Sequence, residues 1–431
     1  VPKHMGRRFL LHNLMQQALP VLEKLVESGF EAVFVGGCVR DTVMGLPIKD
    51  VDMATSARPE QVLSLFPHCI PTGLQHGTVT VMHAGVPYEV TTFRTESEYE
   101  KHRRPMQVEF IDRLDGDLLR RDLTINAMAM NVAGELHDPF GGLDDLSKKA
   151  VRCVGDPNAR FQEDALRMLR TIRFASQFEF TIEPSTWRAL IQYRELLQHI
   201  AMERVQSELD RMISGAHPER ALQLLAASRL LQYSGTALPI ADRLAEGFSA
   251  AAELPDADYL PYNELSRLDD PDTRYGAMFM AQGITLLQAE ETLKALRFPT
   301  QRMNAVTAIL QLQAAVASKQ EEGLRLAWTS AVLHYGEEAA RRWLSIVQWN
   351  KQHVLHSRTH QFRTWLDGMP AVTLKQLKLN GRQLAEGLNK KPGTWTGLLL
   401  KRLLLDVALD KLPNEQEALL KQAQIWNIED R

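Results

Sequence analysis

Asp50 and Asp52 stand one residue apart in IKDVDMATS, shortly after the bend FVGGCVRD, and both stretches have residue types suited to chemistry at phosphorus. In a strand, residues i and i+2 point to one face, so the two carboxylates would sit side by side and repel. A hard divalent cation removes that conflict, since Mg²⁺ favours oxygen ligands and is commonly held by one or two carboxylates with substrate phosphates. Ions held in pairs can activate an attacking oxygen and stabilise a leaving one in an in-line displacement. Taken alone, Asp-x-Asp also describes a solvated strand edge or a capped turn.

Gly36-Gly37 supplies what the carboxylate pair lacks. After the apolar run EAVFV, the glycines let the backbone bend and approach a ligand closely, and VRDTVM then starts a helix whose free N–H groups face that ligand. A triphosphate would fit there, with Arg40 adding charge from the first turn. The plainer alternative is a tight turn with Arg40 and Asp41 in surface ion pairs. Glu89, in YEVTTF, shares a face with Thr91 and Phe93, as a third carboxylate beside the pair or as an edge-strand charge.

A second group lies in RFQEDALRMLRTIRF, where Asp164, Arg167, Arg170 and Arg173 recur every three residues. On one helix they would form a row beside an apolar stripe of Leu166, Leu169 and Ile172. One reading is a salt-bridged exposed face, helped by Glu163 and Arg167 at i,i+4. The other is a base reader, in which a carboxylate accepts from an exocyclic amine and a guanidinium donates to the adjacent ring nitrogen. That pattern matches cytosine and adenine. Guanine and uracil present a carbonyl and an N–H at those places, and a site built on hydrogen bonds rejects such analogues strongly. In RRDLTINAMAM, Arg121, Asp122 and Asn126 fall where a helix is expected to begin. They could hold a ribose 2′-OH and a phosphate, or Asp122 could serve only as a cap.

The elements that must position these groups change period along the chain. Residues 11–29 have helical spacing, closed by Gly29. EAVFV, VDMAT, GTVTVMHA, PYEVTTF and VEFI read as strands, with the charge-dense RTESEYEKHRRP as a long loop between the last two. From about Asp117 the pattern turns helical with no further strand, which predicts an α+β head with a small mixed sheet and an all-helical remainder. Asp156-Pro157 and Glu183-Pro184-Ser185 open helices. Softer boundaries fall near Ser214–Pro218, Leu254–Asp272 and 355–375.

Composition narrows the function classes. The 431 residues are 45% hydrophobic with a formal net charge of -3, enough for ordinary cores and against bulk attraction to nucleic acid, so RNA would need local basic patches. Three scattered cysteines, Cys38, Cys69 and Cys153, form neither a disulfide framework nor a zinc motif, and a reducing cytoplasm is expected. GLLLKRLLLDVAL is interrupted by Lys401, Arg402 and Asp406, too short an apolar run to span a bilayer. Val1–His4 reads as an expression scar ahead of Met5.

FVGGCVRD, KDVDMATSA, HGTVTV, YEVTTF, RRDLTINAMAM, DPFGG and RFQEDALRMLRTIRFA, in that order, resemble the class II tRNA nucleotidyltransferases, the CCA-adding enzymes and their bacterial poly(A) polymerase relatives. The likeness is dense over 30–215, thinner through the middle, and returns at LKLNGRQLAEGLNKKPGTW. It implies a seahorse-like arrangement: a DNA polymerase β-type head over 5–150, a base-recognising neck over 151–215, a body over 216–355 and a tRNA-binding tail over 356–431. It implies two Mg²⁺ ions at Asp50 and Asp52, with Glu89 as a catalytic strand carboxylate. Nucleotide would bind at Gly36, Gly37, Arg40, Arg121, Asp122, Asn126, Asp164, Arg167, Arg170 and Arg173. Glu203 and Arg204, in IAMERV, would brace the base-reading helix. Cys38 stands where many members have alanine.

The implied activity is template-independent addition of C, C and A to a tRNA 3′ end from CTP and ATP, releasing pyrophosphate, in the cytoplasm and with a homodimer as one assembly. An A-adding or CC-adding specialist and a poly(A) polymerase share the motifs. CC-only members are shortened in the loop after the YEVTTF strand, here complete through Tyr99, Arg103 and Arg104, and poly(A) polymerases usually carry a basic C-terminal extension. A non-catalytic RNA-binding protein on the same fold is the reading from a different class. Lys375, Lys378, Arg382, Lys390, Lys391, Lys401 and Arg402 could grip tRNA phosphates, or simply form the polar faces of amphipathic helices.

Overall fold

The computed structural model describes residues 7–100, 104–252, 264–317, 319 and 321–429, and the chain divides into two compact units, Val1–Ser249 and Ala250–Arg431. In the first unit, α1 (Asn13–Glu27), β1 (Ala32–Val35), α2 (Gly37–Met44), β2 (Asp52–Thr55), α3 (Pro59–Leu65), β3 (Cys69–Gly73), β4 (Thr78–His83) and β5 (Val86–Thr92) come first. Then follow β6 (Arg94–Glu100), β7 (Arg104–Phe110), α4 (Leu114–Leu119), β8 (Ala129–Met130), β9 (Leu136–His137), α5 (Gly142–Ser147) and β10 (Ala150–Val151). The helical portion comprises α6 (Pro157–Glu163), α7 (Leu166–Gln177), β11 (Thr181–Ile182), α8 (Pro184–Tyr193), α9 (Met202–Ile213), α10 (Pro218–Ser228) and α11 (Pro239–Ala252).

A mixed seven-stranded sheet, ordered β3-β4-β5-β2-β1-β8-β9, carries the first unit. Alternation along β1 sends Phe34 to one face and Val33 and Val35 to the other. Phe34 joins Met53, Val79 and Val90 under the apolar stripe of α1 (Met15, Ala18, Leu22, Leu25), while Val33 and Val35 meet Phe93, Leu114 and Leu118. The spacing of that stripe is what makes α1 a helix docked on a sheet rather than a free one. The helix stops at Ser28, and Gly29 takes a left-handed φ of 88° to leave it.

Five features differ from the sequence expectation, the first being the unexpected edge strand β3, which pairs with β4. The Arg94–Pro105 stretch forms most of an antiparallel hairpin, β6 with β7, registered from Arg94 opposite Phe110 to Glu100 opposite Arg104. Side chains of 96–107, and so the expected loop residues Tyr99, Arg103 and Arg104, lie outside the described residues. Short strands also occur beyond Asp117: β8 and β9 extend the main sheet, and β10 pairs in parallel with β11. Two-residue strands have no periodicity to read, since only a neighbour's backbone defines them. RRDLTINAMAM begins no long helix; a single 3₁₀ turn, Thr124–Asn126, leads into β8. Finally, the helix expected to run through Asp164 is broken there, with α6 ending at Glu163 and α7 starting at Leu166.

The second unit is helical: α12 (Pro271–Ala281), α13 (Leu286–Ala295), α14 (Thr300–Ala317), α15 (Glu321–Tyr335), α16 (Glu337–Trp349), α17 (Thr359–Asp367), α18 (Gly381–Gly387), α19 (Thr394–Ala408) and α20 (Gln416–Glu429). Trp328, Trp343 and Phe362 cluster in its interior, with Trp343 Nε1 donating to Gln313 Oε1 at 2.6 Å. GLLLKRLLLDVAL lies in α19, where Leu403, Leu404 and Val407 face a core shared with Leu384, Leu419 and Trp426. No helix among the described residues is long and apolar enough to cross a membrane.

Candidate active site

Strand register assembles the carboxylates. β1 pairs with β2 so that Val35 lies opposite Asp52, and β2 pairs in parallel with β5 so that Asp52 lies opposite Glu89. Asp50 precedes β2 rather than lying within it, yet the alternation holds: Val51 and Met53 are buried while Asp50 and Asp52 keep access to solvent, Asp52 with protein atoms crowding its carboxyl. Burial among protein atoms raises the Asp52 carboxyl above its ordinary value, and the neighbouring Glu89 and Asp50 charges raise it further against the opposing pull of Arg121.

Because Gly36 directly follows Val35, the glycine bend opens beside Asp52. Gly36 has a φ of 76°, which disfavours any side chain, and a Cβ there would lie 3.2 Å from Arg121 Nη1 and 3.8 Å from Asp52 Oδ2. The bend therefore keeps open a space lined by one cation and one carboxylate, and α2 starts from it. Cys38 packs beneath, its Sγ donating to Val35 O at 3.2 Å; burial first of all pushes its thiol up to about 12, so it is an inert filler.

Asp117, which sequence reasoning passed over, holds the arginines of the RRD stretch. Its buried carboxylate pairs with Arg120 at 2.9 Å and Arg121 at 3.3 Å and accepts from the Arg94 backbone N–H at the root of β6. Burial alone would raise this carboxyl; the two arginines outweigh it and hold it low. The i,i+3 and i,i+4 spacing to Arg120 and Arg121 was the available signal.

Asp122 and Asn126 come together as expected, though as parts of a protein network. Asn126 Nδ2 donates to Asp122 Oδ1 at 3.2 Å, Arg170 Nε donates to Asp122 Oδ2 at 2.6 Å, and Arg40 Nη1 donates to Asn126 Oδ1 at 2.6 Å. Burial works against ionisation of Asp122, but the Arg170 charge and hydrogen bonds from Arg170 and Asn126 prevail and leave it at about 2.

Asp164 sits between α6 and α7 because its side chain accepts from Leu166 N at 3.0 Å, a local bond that competes with helix continuation. Arg204 Nη2 donates to Asp164 Oδ2 at 2.9 Å, so Arg204 does brace this segment. Arg167 is oriented by Glu163 at 2.5 Å, by Arg160 O and by Arg120 O at 2.8 Å. Arg173 pairs with Glu208 at 2.6 Å, and Arg211 adds a longer contact of 3.5 Å to the same carboxylate. The expected brace Glu203 is exposed instead. On α9 it lies off the buried stripe of Met202, Val205, Leu209 and Met212, whereas Glu208 lies on it.

All of the expected nucleotide-binding and metal-binding residues line one cleft of about 1180 Å³. Asp50 and Asp52 lie in it together with Asp164 and Arg167, more than a hundred residues later. Glu89 lies beside Asp52 on the adjacent strand and is not among the lining residues. The volume lies just above the ~300–1,000 Å³ of a typical small-molecule pocket. The carboxylates suit a hard divalent cation by charge and donor type. Among the described residues no three His, Cys, Asp or Glu side chains form a complete ligand set, so phosphate or water oxygens would complete the coordination.

Family comparisons bear on the whole chain. Residues 32–152 match the Poly A polymerase head domain, 179–235 match a model described as "Probable RNA and SrmB- binding site of polymerase A", and 267–423 match a model for tRNA nucleotidyltransferase domain 2. A CCA-adding enzyme of Ligilactobacillus salivarius is 35% identical over 95% of this chain and 96% of that protein. One of Geobacillus thermodenitrificans is 38% identical over 93% and 95% respectively. The crystal structure of the Bacillus stearothermophilus CCA-adding enzyme in complex with CTP superposes with a TM-score of 0.80 at 32% identity, covering 97% of this chain and 99% of that one. The Thermotoga maritima CCA-adding enzyme complexed with tRNA shares the fold, with a TM-score of 0.67 at 18% identity over 98% of this chain and 100% of that one.

Proposed function

From the premise that this chain belongs to the CCA-adding enzyme family of nucleotidyltransferases, we propose that it adds C, C and A to tRNA 3′ ends from CTP and ATP without a nucleic-acid template, releasing pyrophosphate. The observation that carries the reading is the single cleft in which Asp50 and Asp52 meet Asp164 and Arg167. Phosphoryl chemistry and base choice then act on one substrate.

The family generally uses divalent metal ions. Asp50 and Asp52 would hold them here, as two Mg²⁺, with Glu89 on the adjacent strand as a further catalytic carboxylate whose repulsion of Asp52 the ions would relieve. When bound, the ions supply Lewis-acid activation of the attacking hydroxyl and neutralise triphosphate charge. The Gly36-Gly37 amides and the start of α2 receive the triphosphate, with Arg121 beside them. Asp122 and Asn126 recognise the ribose. Asp164 and Arg167 choose the base from orientations already set by Arg204, Leu166 N, Glu163 and Arg120 O, which lowers the cost of ordering them on binding.

The head, neck, body and tail, bounded at 150, 215 and 355, would divide the labour, with tRNA phosphates gripped by the tail. There Arg382 is paired with Glu386, and Lys390 and Arg402 lie over the rings of Trp395 and Trp426. Lys375, Lys378, Lys391 and Lys401 are exposed.

The test supplies tRNA transcripts ending before C, after CC and after CCA with each nucleoside triphosphate singly and together, and sizes the products. The expected result is C addition from CTP, A addition only after CC, no use of GTP or UTP, and arrest at CCA. Asp50→Ala and Asp52→Ala should each abolish transfer without lowering the thermal midpoint. Long adenylate tails, A-only or CC-only products would assign the chain to a specialised relative, and no product would favour an RNA-binding role.

A further inference from the structure

DPFGG, from Asp138 to Gly142, has no part in the nucleotide site described above, yet it packs directly behind the turn that carries Asn126. Asp138 accepts from the backbone N–H groups of Gly142 at 2.8 Å and Leu143 at 2.9 Å, and α5 begins there. That start presses Gly142 onto the Thr124–Asn126 turn. A Cβ at Gly142 would lie 2.4 Å from Thr124 O, a backbone atom that cannot swing aside, and 2.9 Å from Met128 Cγ. Only glycine fits so close an approach.

Thr124 is held through every polar group it has. Its N–H donates to Arg152 O at 3.0 Å, its carbonyl accepts from the Ala127 N–H at 3.0 Å, and its hydroxyl donates to Asp145 Oδ2 at 2.5 Å. The last is a charge-assisted bond in the short range. Asp145, on α5, is fixed in turn by Arg152, whose Nε and Nη2 donate to the same oxygen at 3.0 and 2.8 Å. Arg152 Nη2 also donates to Phe140 O at 2.9 Å, which ties the DPFGG loop into the same group. Thr124 is fully buried and Asp145 nearly so, and neither lines the cleft, so a bound nucleotide would displace none of these contacts.

A lone 3₁₀ turn has poor hydrogen-bond geometry and sets its own shape only weakly. Here it separates Asp122 from Asn126, and their relation decides whether both can meet one ribose. The geometry points to Thr124, Asp145 and Gly142 as a positioning clamp that fixes this turn and so sets Asn126 against Asp122 for ribose recognition. Its consequence for ribose choice rests on the assignment of Asp122 and Asn126 to the ribose. A site whose polar groups are fixed around a 2′-hydroxyl rejects the deoxy analogue, because those groups are then left unpaired. With the turn loosened they find other partners, and the preference for CTP over 2′-deoxy-CTP falls.

The test compares wild type, Thr124→Val, Thr124→Ser, Asp145→Asn and Asn126→Ala in the full chain, adding one C from CTP or 2′-deoxy-CTP to a tRNA transcript ending before C. Valine keeps the shape of threonine without the hydroxyl and leaves Asp145 paired with Arg152. Thr124→Val and Asp145→Asn should each lower the CTP to deoxy-CTP ratio of kcat/KM about 10-fold, the scale of one hydrogen bond. The CTP to UTP ratio should not change, and Thr124→Ser should keep the wild-type ribose ratio. A clamp serving stability alone would lower the unfolding midpoint and leave both ratios as they were. That outcome, or an equal fall in both ratios, overturns the proposal.

Amide hydrogen exchange without nucleotide reads the clamp independently of transfer. Asp145→Asn and Thr124→Val should speed exchange at Asn126 and Ala127, whose N–H groups bond Leu123 O and Thr124 O, with the β1 amides protected as in wild type. Should Asn126→Ala leave the ribose ratio unchanged, the ribose assignment falls by itself. Faster exchange at the turn then still supports the clamp, and unchanged exchange refutes it in either case.

Discussion

Asp52 and Asp122 are acids of one cleft with opposite relations to pH. The Asp52 carboxyl is raised above 3.8 by burial and by Glu89, so the folded state binds its proton more tightly than the unfolded chain does. Ionisation above that pH therefore costs folding free energy, and a bound cation would offset the cost. Asp52→Asn should raise the thermal midpoint at pH 8 in the absence of divalent cations while abolishing activity. The gain should shrink as pH falls and the wild-type carboxyl takes up its proton. Asp122 is held down at about 2, so its contribution is fully present above 3.8 and lost as pH falls towards 2. Asp122→Asn should cost about 2 kcal/mol at pH 7, the equivalent of that shift, and almost nothing extra near pH 2. Unfolding midpoints of the two variants across pH 2–8 test both signs.

At the scale of elements, α7 and α9 are joined through a buried charge. Removing one partner of a buried pair leaves the other uncompensated, so Glu208→Ala should destabilise the first unit by about 3–5 kcal/mol. Glu203→Ala, on the exposed side of α9, should stay within about 0.5 kcal/mol. Denaturant unfolding separates the two, and equal effects would contradict the Arg173–Glu208 brace. The apolar stripe of α1, the Gly36-Gly37 bend and the strands β1, β2, β4 and β5 were legible because one local period or turn preference governs each, whereas β3 was not. The break at Asp164 was not legible. Its neighbours have good helix spacing, and the interruption comes from a side-chain bond to Leu166 N reinforced by Arg204, forty residues away.

For the molecule as a whole, a net charge of -3 leaves RNA affinity to local patches. Binding of a tRNA should fall steeply with salt, since each neutralised phosphate releases counterions. Replacing exposed Lys391 and Lys401 together by glutamate should weaken binding and lower the log–log salt slope by about 2, while leaving nucleotide choice unchanged. Filter binding over a salt series and the product-sizing assay measure the two separately. A changed nucleotide preference would place these lysines nearer the chemistry than the tail reading allows.

By itself the sequence determined the residue types of the chemistry and the scaffold of the head: paired aspartates after a glycine bend, an acid–arginine set suited to C and A, and a strand-rich block giving way to helices. These are local properties, set by spacing along the chain. Tertiary structure alone decided who holds whom. Asp52 faces Glu89 through strand register, Asp117 gathers Arg120, Arg121 and the root of the hairpin, Glu208 rather than Glu203 neutralises Arg173, and Arg40 turns to two phenylalanines. A buried charge must find a partner wherever the fold brings one, and sequence distance does not restrict that search.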